Sequence, residues 1–235
     1  MIGRLLLLIL SFNLCAYAYA GGTVAGTVKF EGTAPRSRMI HMEADPVCYA
    51  SHDGKTVYSQ TLVLGDNGGL GNVFVYVKSG LGKTRYPVPP EIVVVNQKGC
   101  NYNPHVLGVM VGQKVKFLNP DGTLHNVHAM CKSNPEFNAA MPDFRKEMQV
   151  SFEKPEFMFP IRCDVHPWMT AWMAVMGHPF FTVTNSDGRF ELKDLPDGTY
   201  TIEAWHEKLG TKVLTITLKE GKSDQRADFT FLPPK

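Results

Sequence analysis

Residues 157–169 read Phe157-Met158-Phe159-Pro160-Ile161-Arg162-Cys163-Asp164-Val165-His166-Pro167-Trp168-Met169. Phe157, Phe159, Ile161 and Cys163 alternate, as one face of a β-strand does, and the strand runs straight into a tight loop. Within seven residues that loop offers a thiolate (Cys163), an imidazole (His166) and a thioether (Met169). A mononuclear electron-transfer copper takes two imidazoles and a thiolate in a near-trigonal plane with a weak thioether on its axis. The missing imidazole has to come from a neighbouring strand. His125, following a strand and turn over Lys114–Leu124, is the candidate.

Each donor answers a physical need. Cys163 has to be a thiolate, which carries the covalency and the electron path. His125 and His166 have to be neutral, binding through one nitrogen and leaving the other for a hydrogen bond or for solvent. Met169 is soft and neutral and so favours Cu(I). Zinc also accepts sulfur and nitrogen, which would make His125, His128, Cys163 and His166 a closed site. However, His125 and His128 are three apart on an extended segment and point to opposite faces. A binuclear copper centre would need a second cysteine in the loop, and covalent haem a Cys-x-x-Cys-His run; the sequence has neither.

Outward from this loop the chain reads as all-β. Strand patterns cover Thr23–Phe30, Asn72–Lys78 and Glu91–Asn96, then Val106–Val111, Lys114–Leu118, Met148–Phe152 and Phe157–Cys163. A third group covers Phe180–Thr184, Arg189–Leu192, Thr199–Trp205, Lys212–Leu218 and Ala227–Phe231. Many short strands divided by 21 Gly and 16 Pro argue for sandwiches or barrels. The 235 residues suffice for one large or two small domains. Charged residues make up 20% and the net charge is +2 with no basic run, so nucleic-acid binding is not expected.

The region around the donors resembles a cupredoxin, the plastocyanin- and amicyanin-like blue-copper fold. The likeness is carried by Val111-Gly112-Gln113-Lys114-Val115-Lys116-Phe117-Leu118-Asn119, by Leu124-His125-Asn126-Val127-His128, and by the Cys-x2-His-x2-Met loop with its Pro after His. By position the resemblance implies one type 1 copper, with His125, Cys163 and His166 equatorial and Met169 axial. It also implies that Asn126 ties the two ligand loops together. Where the family often has Ser or Thr after the Cys, this chain has Asp164, which puts an acid beside the site. The third strand group, Thr184–Leu192 followed by Leu195–Ile202, resembles the second half of a carboxypeptidase regulatory-like sandwich, related in architecture to transthyretin. The opening of that pattern matches Val24-Ala25-Gly26-Thr27-Val28 and Asn72-Val73-Phe74-Val75-Tyr76, about a hundred residues upstream. The expectation is therefore one discontinuous sandwich, 21–90 plus 179–235, interrupted by a cupredoxin-like Greek-key sandwich at 91–178.

Residues 1–20 read as an export signal: Arg4, the apolar run Leu5–Leu10, and Ala18-Tyr19-Ala20 for cleavage. The expected location is periplasmic or secreted, with no transmembrane segment after signal removal. Export favours oxidised thiols. With Cys163 a ligand, Cys48 and Cys100 are the favoured disulfide, since Cys131 lies close to a ligand loop; Cys131 as a partner stays open. No donor set leaves an open coordination position with an acid or base beside it, which points to a carrier and not an enzyme. The expected function is single-electron transfer through an exposed His166 edge, with Pro167, Trp168 and Trp172 forming a rim. A redox protein such as a c-type cytochrome or a periplasmic oxidoreductase would dock there. Copper sequestration or delivery, and a surface-binding module with a structural metal, are the alternatives.

Overall fold

The computed structural model describes residues 21–219 and 224–233; the export signal read at 1–20 lies outside the described residues. The architecture is all-β. Strands β1 (Gly22–Phe30), β2 (Met39–Ile40), β3 (Val57–Tyr58) and β4 (Phe74–Ser79) come first, with a short helix α1 (Pro46–Ala50) between β2 and β3. The middle of the chain forms β5 (Val93–Asn96), β6 (Val106–Met110), β7 (Lys114–Leu118) and β8 (His125–Ala129). It continues with β9 (Phe137–Met141), β10 (Glu147–Ser151), β11 (Glu156–Arg162) and β12 (Thr170–Met176). The last six are β13 (Phe181–Val183), β14 (Arg189–Leu195), β15 (Gly198–His206), β16 (Gly210–Leu218), β17 (Asp224–Arg226) and β18 (Phe229–Phe231). Among the described residues no helix is long and apolar enough to cross a membrane.

The middle strands make two sheets, β10-β7-β5 and β6-β12-β11-β8-β9. The β5–β7 and β6–β12 pairs are parallel and the others antiparallel. Inward-facing Val95, Phe117, Val127, Ile161 and Met173 fill the space between the sheets with no exposure. Burial of each such side chain contributes roughly 1.5–3 kcal/mol before chain entropy is set against it. The strands flanking this unit meet one another: β4 pairs with β13 and β15, while β1 is flanked by β14, β17 and β18. The burial of β1 alternates along its whole length, and Val24, Val28, Leu192 and Ile202 share a second core.

Three details differ from the sequence reading. A β-bulge in β11 shifts the register between Glu156 and Phe159, with Met158 at φ 47°, so Phe157 turns outward and does not share the face of Phe159, Ile161 and Cys163. Strands β8, β9 and β12 were masked in sequence by polar residues and methionines. Residues 39–58, which the sequence places with the outer sandwich, send Met42 and Cys48 into the core of the middle unit.

Where the two units touch, Phe74 of β4 stacks on Phe181 with ring centroids 5.7 Å apart, directly over Gly108 of β6. A Cβ at Gly108 would stand 2.6 Å from the Phe181 ring and 2.7 Å from that of Phe74, so this close approach requires glycine. Buried His105 adds a polar link. Its Nδ1 lies 2.9 Å from the Thr170 carbonyl and its Nε2 on the Glu207 carboxylate, whose other oxygen accepts from Trp172 Nε1 at 3.1 Å.

Candidate metal centre

The site is built where β8 begins and where the hairpin from β11 to β12 turns. His125 is the first residue of β8, fully buried, and Cys163 and His166 lie in the hairpin at 2% and 3% exposure. One ligand atom from each of the three falls within 4.8 Å of the others. The two Nδ1 atoms are 3.0 Å apart, and Cys163 Sγ is 3.8 Å from His166 Nδ1. The hairpin is held by its own backbone: Met169 N–H donates to the His166 carbonyl at 2.9 Å, and Cys163 N–H to the Met169 carbonyl at 3.2 Å. Met169 is itself buried in the same core.

Electrostatics drive the thiol toward its anionic form. Burial works against the charge, but His125 and the backbone N–H groups of Asn126, His166 and Val165 outweigh it and lower the Cys163 pKa. His125 responds in the opposite sense: burial would lower it, yet Asp121 and Cys163 raise it to about 9. The pocket thus prefers a thiolate beside a positive charge, which is the environment a soft cation supplies when it replaces the imidazole proton. Two imidazoles and a thiolate, dry and converging, fit such an ion, as the sequence reading requires of copper.

The outer nitrogens of both histidines are clamped by carboxylates. His125 Nε2 is 3.0 Å from Asp121 Oδ2, and His166 Nε2 is 3.0 Å from Asp45 Oδ2. Local chemistry explains both acids. Asp45 caps α1 ahead of Pro46, accepting from Val47 N–H at 2.8 Å and Cys48 N–H at 3.1 Å. Thr123 Oγ1 adds a third donor at 3.0 Å, and despite partial burial these donors with His166 hold Asp45 down at about 2. Asp121 accepts from Gly99 N–H and Cys100 N–H at 3.0 and 2.9 Å, where both residues adopt positive φ, 71° and 55°. Glycine takes that conformation freely; Cys100 pays about 1 kcal/mol for it.

Cys48 and Cys100 are bonded to each other in a disulfide with a Cα–Cα distance of 5.5 Å, so the backbone around one bridge supplies donors to both clamping carboxylates. Each cysteine also falls near a histidine–carboxylate pair, Asp45 with His166 and Asp121 with His125, but their disulfide bond leaves these groups as parts of the same network. Cys131 is a buried free thiol, pushed up to about 12 by burial and by Glu156 and Glu136.

The exposed His166 edge expected from the sequence is absent. α1 and the disulfide cover it: Cys48 Sγ sits 3.6 Å from His166 Nε2, and the imidazole is almost wholly enclosed. Trp168 packs beside it, ring centroids 5.0 Å apart, with Nε1 donating to the Cys100 carbonyl at 3.1 Å. Pro167 is exposed. Trp172 faces the outer sandwich, stacked edgewise on Trp205, and forms no rim about His166.

Asn126 Oδ1 accepts from Asp164 N–H at 2.6 Å and so joins the two segments. Asp164 turns its carboxylate away from the cluster, toward His128 Nδ1 at 3.1 Å and the Asn138 amide. Asn138 in turn accepts from Asn126, so the side-chain half of the link passes through a residue the sequence reading did not single out. Asp45, Asp121 and Tyr102, whose hydroxyl donates to the Asn126 and Arg162 carbonyls, were missed as well. Only Asp45 carried a signal, the Asp-Pro start of a helix.

No protein-family model and no curated protein matches the chain. Among solved structures it is similar to the copper-containing nitrite reductase of Thermus scotoductus SA-01, at 21% identity and TM-score 0.34 over 43% of this chain and 26% of that one. A methionine-to-alanine mutant of amicyanin in the Cu(I) state aligns at 19% identity and TM-score 0.33, over 43% of this chain and 98% of its own. A purple cupredoxin from Nitrosopumilus maritimus aligns at 21% identity and TM-score 0.30, over 36% and 99%.

Proposed function

We propose that this is an exported type 1 copper protein that carries single electrons between redox partners and performs no substrate chemistry of its own. The observation that carries the reading is the buried convergence of His125 Nδ1, His166 Nδ1 and Cys163 Sγ within 4.8 Å, with Met169 enclosed in the same hairpin. His125, Cys163 and His166 would hold the ion and Met169 would supply a soft thioether donor. The ion supplies a one-electron couple. The chain supplies a rigid frame: Asp121 and Asp45 fix the imidazole tautomers by accepting from Nε2, which leaves each Nδ1 free to bind. With both rings and the thiolate anchored, little has to move when the charge changes.

In this reading the outer sandwich, residues 21–90 and 179–235, is a scaffold into which the 91–178 unit is inserted, and the whole works in the periplasm or outside the cell. The link from Thr170, next to Met169, through His105 to Glu207 supports a fixed relation between the two. The test is to add Cu(II) to the protein and record visible and electron paramagnetic resonance spectra for wild type and Cys163→Ser. An intense sulfur-to-copper band in wild type, lost in the variant, is expected. A wild type that binds copper without colour would sink the electron-carrier reading in favour of copper handling.

A further inference from the structure

With the His166 edge closed by α1, a partner needs another approach to the ligand hairpin, and one open cleft reaches it. This cleft has a volume of about 730 Å³ and touches Cys163, Pro167 and Trp168 on one wall. Arg38, Arg162 and Lys208 stand on its lining, all three exposed and none in an ion pair among the described residues. The acids that share the lining are already engaged: Asp164 faces His128, and Glu207 takes both His105 and Trp172. With three cations against two carboxylates, the cleft carries a net positive charge around an indole whose ring is 5.0 Å from that of His166. Trp168 is fixed there by its bond to the Cys100 carbonyl.

We propose that this cleft is the docking surface for an acidic one-electron redox protein, the cations steering its carboxylates and the Pro167–Trp168 wall giving close apolar contact. Complementary charge raises encounter rates and is screened by salt, and Arg pairs carboxylates with two parallel donors. The inference rests on the electron-carrier reading, and it names the partner's chemistry and the face it uses.

Two measurements test it. In the first, hexacyanochromate(III), a redox-inert paramagnetic trianion, is titrated into nitrogen-15-labelled copper-free protein. Selective broadening is expected at Arg38, Arg162, Lys208 and the Trp168 indole, and should vanish in the triple variant Arg38→Glu, Arg162→Glu, Lys208→Glu. In the second, copper-loaded, reduced protein is mixed with oxidised c-type cytochromes, one acidic and one basic. The acidic one should react faster at low salt, the triple variant should slow it on the order of tenfold, and Lys98→Glu, outside the cleft, should leave it unchanged. Broadening spread evenly over surface lysines, or an acidic-cytochrome rate indifferent to the triple variant, overturns the proposal. A copper-loaded protein without its visible band removes the electron-carrier reading instead, and leaves the anion map standing.

Discussion

Asp45 caps a five-residue helix and at the same time holds Nε2 of His166 at 3.0 Å, although 121 residues separate the two in sequence. One carboxylate thus sets both the helix start and the orientation of an imidazole in the candidate metal site. Asn is nearly as good a cap as Asp but carries no charge. Asp45→Asn should therefore keep the helix start but cost some stability of the copper-free protein, because the donors that hold the carboxyl at about 2 favour its charge. It should also weaken Cu(II) binding about tenfold or more and raise the reduction potential. Asp45→Ala should show the same copper defect and lose a further ~1 kcal/mol of stability with the cap. Competition titration with a chelator, spectroelectrochemistry and calorimetry read the three quantities.

The Cys48–Cys100 bridge closes a segment with a sequence separation of 52. On the chain-entropy account, Cys48→Ser with Cys100→Ser should cost about 4 kcal/mol in denaturant unfolding. Because the backbone at Cys48 and Cys100 supplies N–H donors to Asp45 and Asp121, the same variant should also exchange copper faster with a chelator. Unchanged exchange would show that the clamps hold without the bridge.

Gly108 lies under the Phe74–Phe181 stack, and a methyl group there meets both rings at under 3 Å. Gly108→Ala should destabilise by roughly 1–3 kcal/mol, the usual cost of overpacking. The loss falls on the contact between the units, so calorimetry should show the single transition broadening or splitting while the copper spectrum stays the same.

His206 is 1% exposed, its Nε2 has no partner among the described residues, and its Nδ1 accepts from the backbone N–H groups of Lys208 and Leu209. Burial lowers its pKa from 6.5 to about 4. The unfolded chain then binds the extra proton first, so stability present above pH 6.5 is lost as the pH falls toward 4. The loss amounts to at most about 3 kcal/mol. Urea midpoints between pH 7 and pH 4 should fall less steeply in His206→Phe than in wild type; parallel slopes would refute the assignment.

The convergence of His125, Cys163 and His166 was legible because the pattern is local: Cys163, His166 and Met169 sit within seven residues, and His125 begins a segment flanked by recognisable strands. The all-β class was legible for the same reason, since alternation in β1 or β15 needs no distant information. What surrounds the donors was not. Asp121 lies only four residues before His125, yet nothing in that spacing shows that its carboxylate is gathered by Gly99 and Cys100. His166 was read with an exposed edge because electron transfer to a docked partner needs one; its cover comes from α1, too short to leave a helical period and far away in the chain. Phe157 was read as inward because alternation cannot register the extra residue of a bulge.

The first strand of the outer sandwich is completed by the last: Thr27 N–H donates to Asp228 at 2.8 Å across 201 residues, and β1 runs beside β17 and β18. Contacts of such long range are slow to form, because a large loop has to close before they give any return. The ligand-bearing strands, whose pairings are far more local, can condense early and bring the ends of their own segment together. Assembly should thus run from the inside outward, with β1 among the last strands to find all its neighbours, β14, β17 and β18.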